Sequence, residues 1–442
     1  MNKKSRRDFI KATALGGAVA ALPLSAKSYN NIIGSNERMN IAVVGINSRG
    51  GAHIKAAGNY ADDCKVTALC DVDNRTFTKA IKRFDSLNES DITTYGDIRK
   101  LLENDDIDVI SIATPDFWHA PMAIMAMNAG KNVYLEKPFS FCPEEGEWVM
   151  QVQKKTGSVL QIGNQQRSAP TSIEVINAIK QGIIGRAYYA KAWYTNNRKS
   201  IGVGKKAAVP DWLDWNLWQG PAPRKEYMDN YVHYNWHWFW HWGTGEISNN
   251  GLHELDIARW ALDVDIPSKV NSTGGRFHFQ DDWEFYDTQL ASYEFADGKS
   301  INWEGRSCNK YPEFQGKGRG TAIYGTEGTV ILDRNGYKVL DNDNNVIKEG
   351  TEKQKSATTD TQGIGGLDGY HYKNFIDGIK YGADLNSPAT EAHKSTLMCH
   401  LGNMAQKFGG SLDIDEVTGR PYSKDAMSMW GREYEPGWVP HV

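Results

Sequence analysis

The sequence predicts an α/β protein of two domains: a doubly wound parallel sheet, then an α+β domain with a large, mostly antiparallel open sheet. Its 442 residues are too many for one ordinary hydrophobic core. From residue 39 to residue 163, short apolar segments alternate with helical ones, as in parallel strands joined by crossover helices. Farther along, strand-like segments follow one another with turn signals between them, which is typical of antiparallel pairing.

The first residues predict a signal for export rather than part of the fold. Arg6-Arg7 precedes a mildly apolar stretch that ends in small residues near Ala26, as in twin-arginine signal peptides. The alternative is a cytosolic protein with a basic, frayed amino terminus. We predict a signal peptide over residues 1–26, a polar linker over 27–38, and a periplasmic protein. No later apolar run reaches the roughly 18 residues that a membrane helix needs, so no membrane contact is expected after cleavage.

The predicted amino-terminal domain, residues 39–163, is the doubly wound parallel sheet. One helix is predicted over residues 121–130, where an apolar segment ends at Gly130. The five predicted strands are residues 40–46, 65–71, 108–114, 132–136 and 158–163.

The predicted carboxyl-terminal domain covers residues 164–407. Residues 195–247 are predicted to be a long ordered loop, and 408–442 a carboxyl-terminal extension. Helices are predicted over 171–182, 251–262, 370–382 and 392–407, and strands over 269–279, 288–295, 300–307, 320–333 and 338–349.

Composition excludes several classes of function. The formal net charge is only −4 and the charges are interspersed, so nucleic acid is not an expected partner. The five cysteines have none of the spacings of a zinc site, and no metal is predicted.

A glycine turn follows the first predicted strand. In Gly45-Ile46-Asn47-Ser48-Arg49-Gly50, the first and third glycines of a dinucleotide-binding turn are present, and Asn47 stands at the second. Such a turn presents backbone amides to a pyrophosphate at the start of a helix. Alone, the pattern also fits an ordinary strand–helix turn.

Asp71 ends the second predicted strand, about twenty-five residues after Gly45. A carboxylate there accepts hydrogen bonds from an adenine ribose and repels a 2′-phosphate, which favours NAD over NADP. The alternatives are a plain turn residue at Asp71, or Asp73 in the same role.

Lys137 closes the apolar strand NVYL in the tripeptide Glu136-Lys137-Pro138. The carboxyl ends of parallel strands are where a nicotinamide and a substrate hydroxyl would meet. An ammonium there can bond the substrate oxygen that loses its proton. The alternative is a surface lysine.

A second cluster begins at Gly251. We predict that Asn249 or Asn250 caps the following helix, with His253 in its first turn and Asp256 one turn along on the same face. An imidazole suits the acceptance of a hydroxyl proton. The alternative is a histidine that only packs at the helix start.

Aromatic residues are concentrated in YVHYNWHWFWHWG, residues 231–243. His233, His237 and His241 recur every four residues, so a zinc site is one possible interpretation. We favour an aromatic wall for a sugar ring, with Trp236 below the ring and His237 and His241 bonding its hydroxyls. A structural loop or subunit contact is the third alternative.

With these residues assembled, the chain resembles the Gfo/Idh/MocA family of oxidoreductases over roughly residues 39–405. The most specific segments are GKNVYLEKPF, the G-x-H-x-x-D pattern at Gly251, His253 and Asp256, and the turn GTEGTV. The resemblance implies a Rossmann domain, a second domain whose sheet makes dimer or tetramer contacts, and a sugar or cyclitol substrate. It assigns Lys137 and His253 to the catalytic centre.

One departure from the family pattern concerns Asn249, where many relatives carry an aspartate. An amide can orient a hydroxyl but cannot take its proton, so Lys137 and His253 must carry that step. The predicted function is NAD-dependent hydride transfer from a carbohydrate or cyclitol hydroxyl, with a tightly held cofactor. The alternatives are an NAD-dependent redox glycoside hydrolase and a non-catalytic NAD-binding sensor.

The predicted site has three parts. The catalytic residues are Lys137, His253 and Asn249. The cofactor contacts are Gly45, Asn47, Ser48, Arg49, Gly50, Asp71, Thr114, Pro115, His119, Glu136 and Lys137. The substrate contacts are Arg167, Trp236, His237, His241 and Asp256.

Overall fold

The computed structural model describes residues 38–353 and 366–442. The predicted signal peptide and all but Arg38 of the predicted linker lie outside these residues. None of the described helices combines the length and apolar character needed to cross a bilayer.

A six-stranded sheet forms the first layer, and all its strands are parallel. The strand order β3-β2-β1-β4-β5-β6 is that of a doubly wound dinucleotide-binding sheet. The strands are β1 Met39–Val44, β2 Cys64–Cys70, β3 Thr93–Tyr95, β4 Val109–Ile112, β5 Asn132–Leu135 and β6 Leu160–Ile162.

All five predicted strands of this sheet are present, and β3 is the one that the sequence did not reveal. It has only three residues, and Thr93 and Thr94 are exposed at the edge of the sheet, so no apolar alternation marks it. The helices that cover the sheet are α1 Gly50–Gly58, α2 Arg75–Arg83, α3 Ile98–Leu101, α4 Asp116–Asn128 and α5 Pro143–Thr156.

A nine-stranded sheet forms the second layer, in the order β14-β13-β12-β11-β7-β10-β9-β8-β15. Every neighbouring pair is antiparallel except β7 and β10. The strands are β7 Ala187–Thr195, β8 Lys269–Gly275, β9 Thr288–Glu294, β10 Ser300–Arg306, β11 Arg319–Gly325, β12 Gly328–Asp333, β13 Gly336–Asp341, β14 Val346–Thr351 and β15 Ser411–Asp413. These two sheets confirm the predicted fold class.

The central strand β7 was absent from the sequence-based prediction. Its sequence AYYAKAWYT includes alanine and lysine, which have low strand propensity, and its alternation of buried and exposed residues is broken near its end. The remaining helices are α6 Pro170–Lys180, α7 Trp215–Gln219, α8 Leu252–Leu262, α9 Gly366–Tyr381, α10 Ala389–Lys407 and α11 Lys424–Met427.

Helix α8 lies on the second sheet and is packed all round. Ten of its 11 residues are buried, and the apolar ones belong to a core shared with β7, β11 and α10. A π-helical turn over Ile247–Gly251 runs directly into α8. The expectation that Asn249 or Asn250 caps α8 is therefore wrong, because helical geometry begins before both residues. Asn250 Nδ2 instead donates to Glu246.

Candidate active site

A cavity of about 320 Å³ lies between the carboxyl ends of the parallel strands and the start of α8. Residues of both sheets line its wall. Of the predicted site residues, those on the wall are Gly45, Asn47, Ser48, Arg49, Asp71, Thr114, Pro115, His119, Glu136, Lys137, Trp236, His237, Asn249 and His253.

The turn between β1 and α1 requires glycine at two positions. Gly45 has φ of +80°, and a Cβ there would approach the Ala113 carbonyl oxygen to 2.6 Å. A Cβ on Gly50 would lie 2.2 Å from the Gly45 carbonyl oxygen. Gly50 therefore packs behind the turn and is not part of the cavity wall. Its role is to let helix and strand approach each other.

The polar atoms of this region fit the pyrophosphate and ribose of a dinucleotide. The backbone amides of Asn47 and Ser48 have no hydrogen-bond acceptor among residues 38–353 and 366–442. The buried hydroxyl of Thr114, at the end of β4, also lacks a partner within these ranges. Unpaired donors at the start of α1 are what an anion binds.

Asp71 fixes the turn while facing the cavity. Its Oδ2 accepts from the Ile46 amide at 2.8 Å, and its Oδ1 accepts from the Asp73 amide at 3.0 Å. Burial raises the pKa of Asp71 to about 6, although these amides favour the charged form. Asp73, the alternative ribose ligand, pairs instead with Arg75 and with His233, at 2.7 and 3.0 Å.

Glu136 is the centre of a buried network. Its Oε1 accepts from Arg49 Nε at 2.7 Å and Gln165 Nε2 at 2.8 Å, and it lies 3.1 Å from His53 Nε2. Arg49 also bonds the carboxylate of Asp368. Burial opposes ionisation, yet the charge of Arg49 and the contact with His53 hold the pKa of Glu136 well below its ordinary value.

Lys137 extends from the end of β5 to the start of α8. Its Nζ donates to the Asn249 carbonyl oxygen at 2.6 Å and lies 3.5 Å from Asn249 Oδ1. Burial lowers the pKa of Lys137, and the nearby carboxylates of Asp116 and Glu136 offset only part of that effect. The ammonium is thus held in the cavity by an uncharged acceptor.

Asp116 is a cavity residue that the sequence interpretation missed. It is the first residue of α4, and its carboxylate accepts from the Thr244 hydroxyl. Burial raises its pKa, while nearby His119 and Lys137 act in the opposite direction. His119 contacts two carbonyl oxygens, of Pro138 at 2.6 Å and of Thr114 at 2.9 Å. It therefore joins the ends of β4 and β5.

His253 lies in the first turn of α8, as predicted from its spacing. It is buried at 8% exposure, and its ring makes no hydrogen bond to any described residue. Burial, and then the charges of Arg334 and Lys137, hold the pKa of His253 well below its ordinary value. The imidazole is therefore neutral near pH 7, so a ring nitrogen is free as a proton acceptor, while the lowered pKa makes it a weaker base.

The aromatic wall, as we call Trp218, Tyr234, Trp236 and His237, faces the same cavity. The His237 ring stacks on Trp236 with centroids 3.6 Å apart, and its Nδ1 lies 2.6 Å from the Tyr234 carbonyl oxygen. This arrangement offers a flat apolar surface with polar atoms at its rim, which suits a sugar ring.

Three of the predicted substrate contacts are not among the residues that line the cavity. His241 Nε2 bonds the Pro223 carbonyl oxygen at 2.8 Å, outside the cavity. Arg167 and Asp256 form a buried bidentate ion pair, at 2.7 and 2.8 Å, and neither reaches the wall. Each satisfies the other's charge, so this pair holds α8 in place, and a substrate contact of either residue stays a prediction.

The histidines at 233, 237 and 241 do not converge, since each has its own partner. Within the described part of the chain, no group of three or more His, Cys, Asp or Glu side chains is placed to hold a metal ion.

Three arginines of the wall were also missed: Arg198, Arg319 and Arg334. Arg198 pairs with Glu246, with a 3.0 Å bond from Nη2, and Arg319 pairs with Glu254 at 2.7 and 3.0 Å. They come from strand ends and hairpins far apart in sequence, so no local motif marked them.

Comparison with known families agrees with this architecture. Residues 39–164 match a model described as an oxidoreductase family, NAD-binding Rossmann fold, and residues 182–348 match the same family's carboxyl-terminal α/β domain. Together the two matches span more than half of the chain. The chain belongs to the Gfo/Idh/MocA oxidoreductase family. Residues 5–23 of this family member also match a twin-arginine signal sequence, which indicates export by that pathway.

Among curated proteins, this Gfo/Idh/MocA member is similar to a glycosyl hydrolase family 109 protein of Shewanella sp. (strain W3-18-1). The two are 28% identical over 190 residues, covering 42% of this chain and 41% of the relative. The chain thus matches about two fifths of that relative's length.

Solved structures share the fold at low sequence identity. One is myo-inositol dehydrogenase from Lactobacillus casei in complex with NAD(H) and myo-inositol, with TM-score 0.63, 18% identity, and coverage of 86% of this chain and 97% of that one. Another is the WlbA dehydrogenase from Bordetella pertussis in complex with NADH and UDP-GlcNAcA, with TM-score 0.63, 18% identity, and coverage of 86% and 99%.

Proposed function

We propose that this protein is a periplasmic, NAD-dependent oxidoreductase that removes hydride from a hydroxyl-bearing carbon of a carbohydrate or cyclitol. The observation that carries the proposal is the meeting of two side chains from different domains in one cavity. Lys137, from the end of β5, and His253, from the start of α8, line the same wall as the dinucleotide turn at Gly45.

The cofactor would be held by residues already positioned for it. The free amides of Asn47 and Ser48 suit a pyrophosphate, and Asp71 suits the adenine ribose. Bound NAD would supply the hydride acceptor. The negative charge of Asp71 disfavours a 2′-phosphate, so we propose NAD rather than NADP.

The chain's own residues would move the proton. The Lys137 ammonium is held by the Asn249 carbonyl oxygen and can donate a further hydrogen bond to the substrate hydroxyl oxygen. That bond favours the alkoxide character that develops as hydride leaves. His253, neutral near pH 7, would accept the hydroxyl proton.

Asn249 would orient the substrate rather than titrate. Its Oδ1 lies toward Lys137 Nζ, at 3.5 Å, and its Nδ2 lies 3.4 Å from the Tyr234 hydroxyl and 3.5 Å from Glu246. These contacts fix the amide. The aromatic wall would hold the sugar ring and limit access of water.

The first test identifies the nucleotide. Purified protein is denatured, and any nucleotide released is identified chromatographically; we expect NAD. The undenatured protein is then given pyranoses and cyclitols, and the absorbance of reduced nicotinamide is recorded. A protein that neither carries nor binds a nicotinamide nucleotide would refute the proposal.

The second candidate is an NAD-dependent redox glycoside hydrolase. It is favoured by the 28% identity to a glycosyl hydrolase family 109 protein. In that chemistry hydride returns to the sugar after the aglycone leaves, so there is no net oxidation. Release of aglycone from aryl glycosides without added electron acceptor would support this candidate, and net oxidation without release would exclude it.

The predicted homodimer or homotetramer remains part of the proposal. Strand β9 presents Leu290 on the exposed face of the nine-stranded sheet, at 50% exposure. Light scattering on the purified protein tests whether copies associate.

A further inference from the structure

Arg334 differs from the other cations of the cavity in its position. It lies in the two-residue turn between β12 and β13, where Asp333 pairs with Gly336. The turn is held from both sides. The Asp333 carbonyl oxygen accepts from Gln166 Nε2 at 3.2 Å, and the Asp333 carboxylate accepts from Lys317 Nζ at 2.6 Å. The backbone that carries Arg334 is therefore fixed at the edge of the cavity.

Arg334 also differs in its charge balance. Within residues 38–353 and 366–442, it has no hydrogen bond, ion pair or aromatic partner, although it faces the cavity. The other arginines of the wall each have a buried carboxylate: Arg49 has Glu136, Arg198 has Glu246, and Arg319 has Glu254.

The surroundings of Arg334 are unfavourable for an isolated cation. Burial, and then the neighbouring charge of Arg319, lower the pKa of Arg334 to about 9. The nearby carboxylate of Glu254 is already engaged by two bonds from Arg319. The carboxylate of Asp368, also nearby, is engaged by Arg49. At neutral pH the guanidinium stays charged, so the wall has a positive charge that no described carboxylate bonds directly.

The position of this charge indicates a ligand near His253, in the part of the cavity where the substrate hydroxyl would lie. Arg334 and His253 also line a small adjoining cavity, whose other lining residues are Gln165, Gln166, Leu367 and the ion-paired Arg49 and Asp368. The dinucleotide turn, by contrast, has its own amide donors for phosphate at Asn47 and Ser48. An oxyanion beside His253 would therefore belong to the molecule whose hydroxyl is oxidised.

We propose that Arg334 binds an anionic substituent of the substrate, a carboxylate, sulfate or phosphate, so that the preferred substrates are acidic sugars. The identification of the ligand as a sugar rests on the proposed function; the anion site itself rests on the contacts above. A guanidinium presents a fork of donors that matches an oxyanion with two bonds.

The test compares matched neutral and acidic sugars. NAD-loaded protein is titrated calorimetrically with glucose and glucuronate, galactose and galacturonate, and N-acetylglucosamine and its 6-sulfate. We expect at least one acidic sugar to bind about tenfold or more tightly than its neutral partner. Arg334→Gln should weaken that acidic sugar by about tenfold to hundredfold and leave the neutral sugars and NAD unchanged.

The control is Lys338→Gln, which removes one positive charge from the same hairpin. Lys338 Nζ lies 4.0 Å from Glu349 Oε2, and Lys338 lines neither cavity, so the loss of its charge should not change sugar binding. Arg334→Lys keeps the charge but loses the fork, and we expect an intermediate affinity.

Three results would overturn the inference. One is equal or absent binding of the acidic and neutral sugars by the parent protein. Another is an acidic preference that survives in Arg334→Gln. The third is a matching loss of NAD affinity in Arg334→Gln, which would assign the anion site to a cofactor phosphate. If acidic sugars bind through Arg334 but none reduces the nicotinamide, the proposed function fails while the anion site stands.

Discussion

Glu136 is buried and Lys137, its neighbour in sequence, is partly buried; both face the same cavity, yet their charges have different partners. Glu136 is balanced by Arg49 and contacts two further side chains, His53 and Gln165. Among residues 38–353 and 366–442, the Lys137 ammonium has only the backbone and side-chain amide oxygens of Asn249 within hydrogen-bond reach. The pKa of each side chain is lowered. For Glu136 the lowered pKa means that the charged carboxylate is favoured, whereas for Lys137 it means that the charged ammonium is disfavoured.

The difference separates groups that build the site from groups that act in it. A buried ion with several partners holds elements together, and removing one partner leaves a costly unpaired charge. A wholly or partly buried ion or imidazole without such partners contributes little to holding the fold together, and it stays available to a ligand. Lys137, His253 and Arg334 form the second class, which we call the open set. Glu136 and Arg167 belong to the first, and the buried His371 is their uncharged counterpart, because both of its ring nitrogens are engaged.

The strongest test of this comparison uses two lysines at opposite ends of β5. Lys131 precedes the strand, is buried, and donates to the Asn104 carbonyl oxygen at 2.9 Å; burial lowers its pKa as it does that of Lys137. Lys137→Met should lower kcat/KM by about two to four orders of magnitude, because the bond to the substrate oxygen is lost. Lys131→Met, with no access to the cavity, should change it less than about threefold.

Steady-state kinetics at saturating NAD measure both lysine variants, and circular dichroism confirms that both fold. Equal turnover by Lys137→Met and the parent would show that the lysine is not catalytic and would favour a sensor.

Two histidines provide a comparable test. His371 is engaged on both ring nitrogens, by the Ile162 carbonyl oxygen at 2.7 Å and by Ser168 Oγ at 2.6 Å, whereas His253 has no such bond within the described ranges. His253→Ala should lower kcat by about two to four orders of magnitude with little loss of stability. His371→Ala should cost about 1–3 kcal/mol of unfolding free energy and leave kcat near the parent value.

The histidine comparison is made by urea unfolding together with kinetics. A loss of kcat below about tenfold in His253→Ala would make that residue a packing residue.

Asp256 tests whether a residue with several buried partners contributes to stability rather than to substrate binding. Its carboxylate accepts two bonds from Arg167 and one from Ser395, all buried. Asp256→Asn leaves the Arg167 guanidinium without its main counter-charge, so the free energy of unfolding should fall by about 3–5 kcal/mol. KM for sugar should stay unchanged at a temperature where the variant is folded. A raised KM without loss of stability would restore Asp256 as a substrate contact.

Sequence reasoning found residues whose position follows from a rule about strands and turns. Gly45, Asp71 and Lys137 each stand at the carboxyl end of a parallel strand, so their convergence follows from the order of the strands alone. Asp116 follows β4 and obeys the same rule, so it could have been predicted as a site residue from the sequence.

Residues supplied by the second sheet had no comparable signal. Arg319 and Arg334 reach the cavity only because β11, β12 and β13 are neighbours in an antiparallel sheet. The register of that sheet could not be predicted from the sequence. The same holds for His241, Arg167 and Asp256, whose residue types suited a sugar but whose partners come from distant segments. Whether a charged residue has a partner depends on long-range pairing, so local sequence patterns could not distinguish the open set from residues that form buried ion pairs.

The smallest expected effect concerns Asp71, a carboxylate that belongs to both classes, since it holds the turn and faces the cavity. Burial raises its pKa to about 6, so it becomes protonated as the pH falls through that value. Ribose hydroxyls donate more strongly to a carboxylate than to a neutral acid, so NAD affinity should be complete above the pKa and fall below it. Between about pH 7.5 and about pH 5 the Kd for NAD should rise roughly tenfold.

Asp71→Asn is the matched control for this pH effect, because it keeps the shape and removes the titration. Its Kd for NAD should be raised and nearly independent of pH over the same interval, and its preference for NAD over NADP should shrink. Nucleotide-free protein titrated with each nucleotide by fluorescence quenching measures both quantities. A parent Kd that does not change with pH would mean that Asp71 only braces the Ile46 amide, and that the ribose is held by another group.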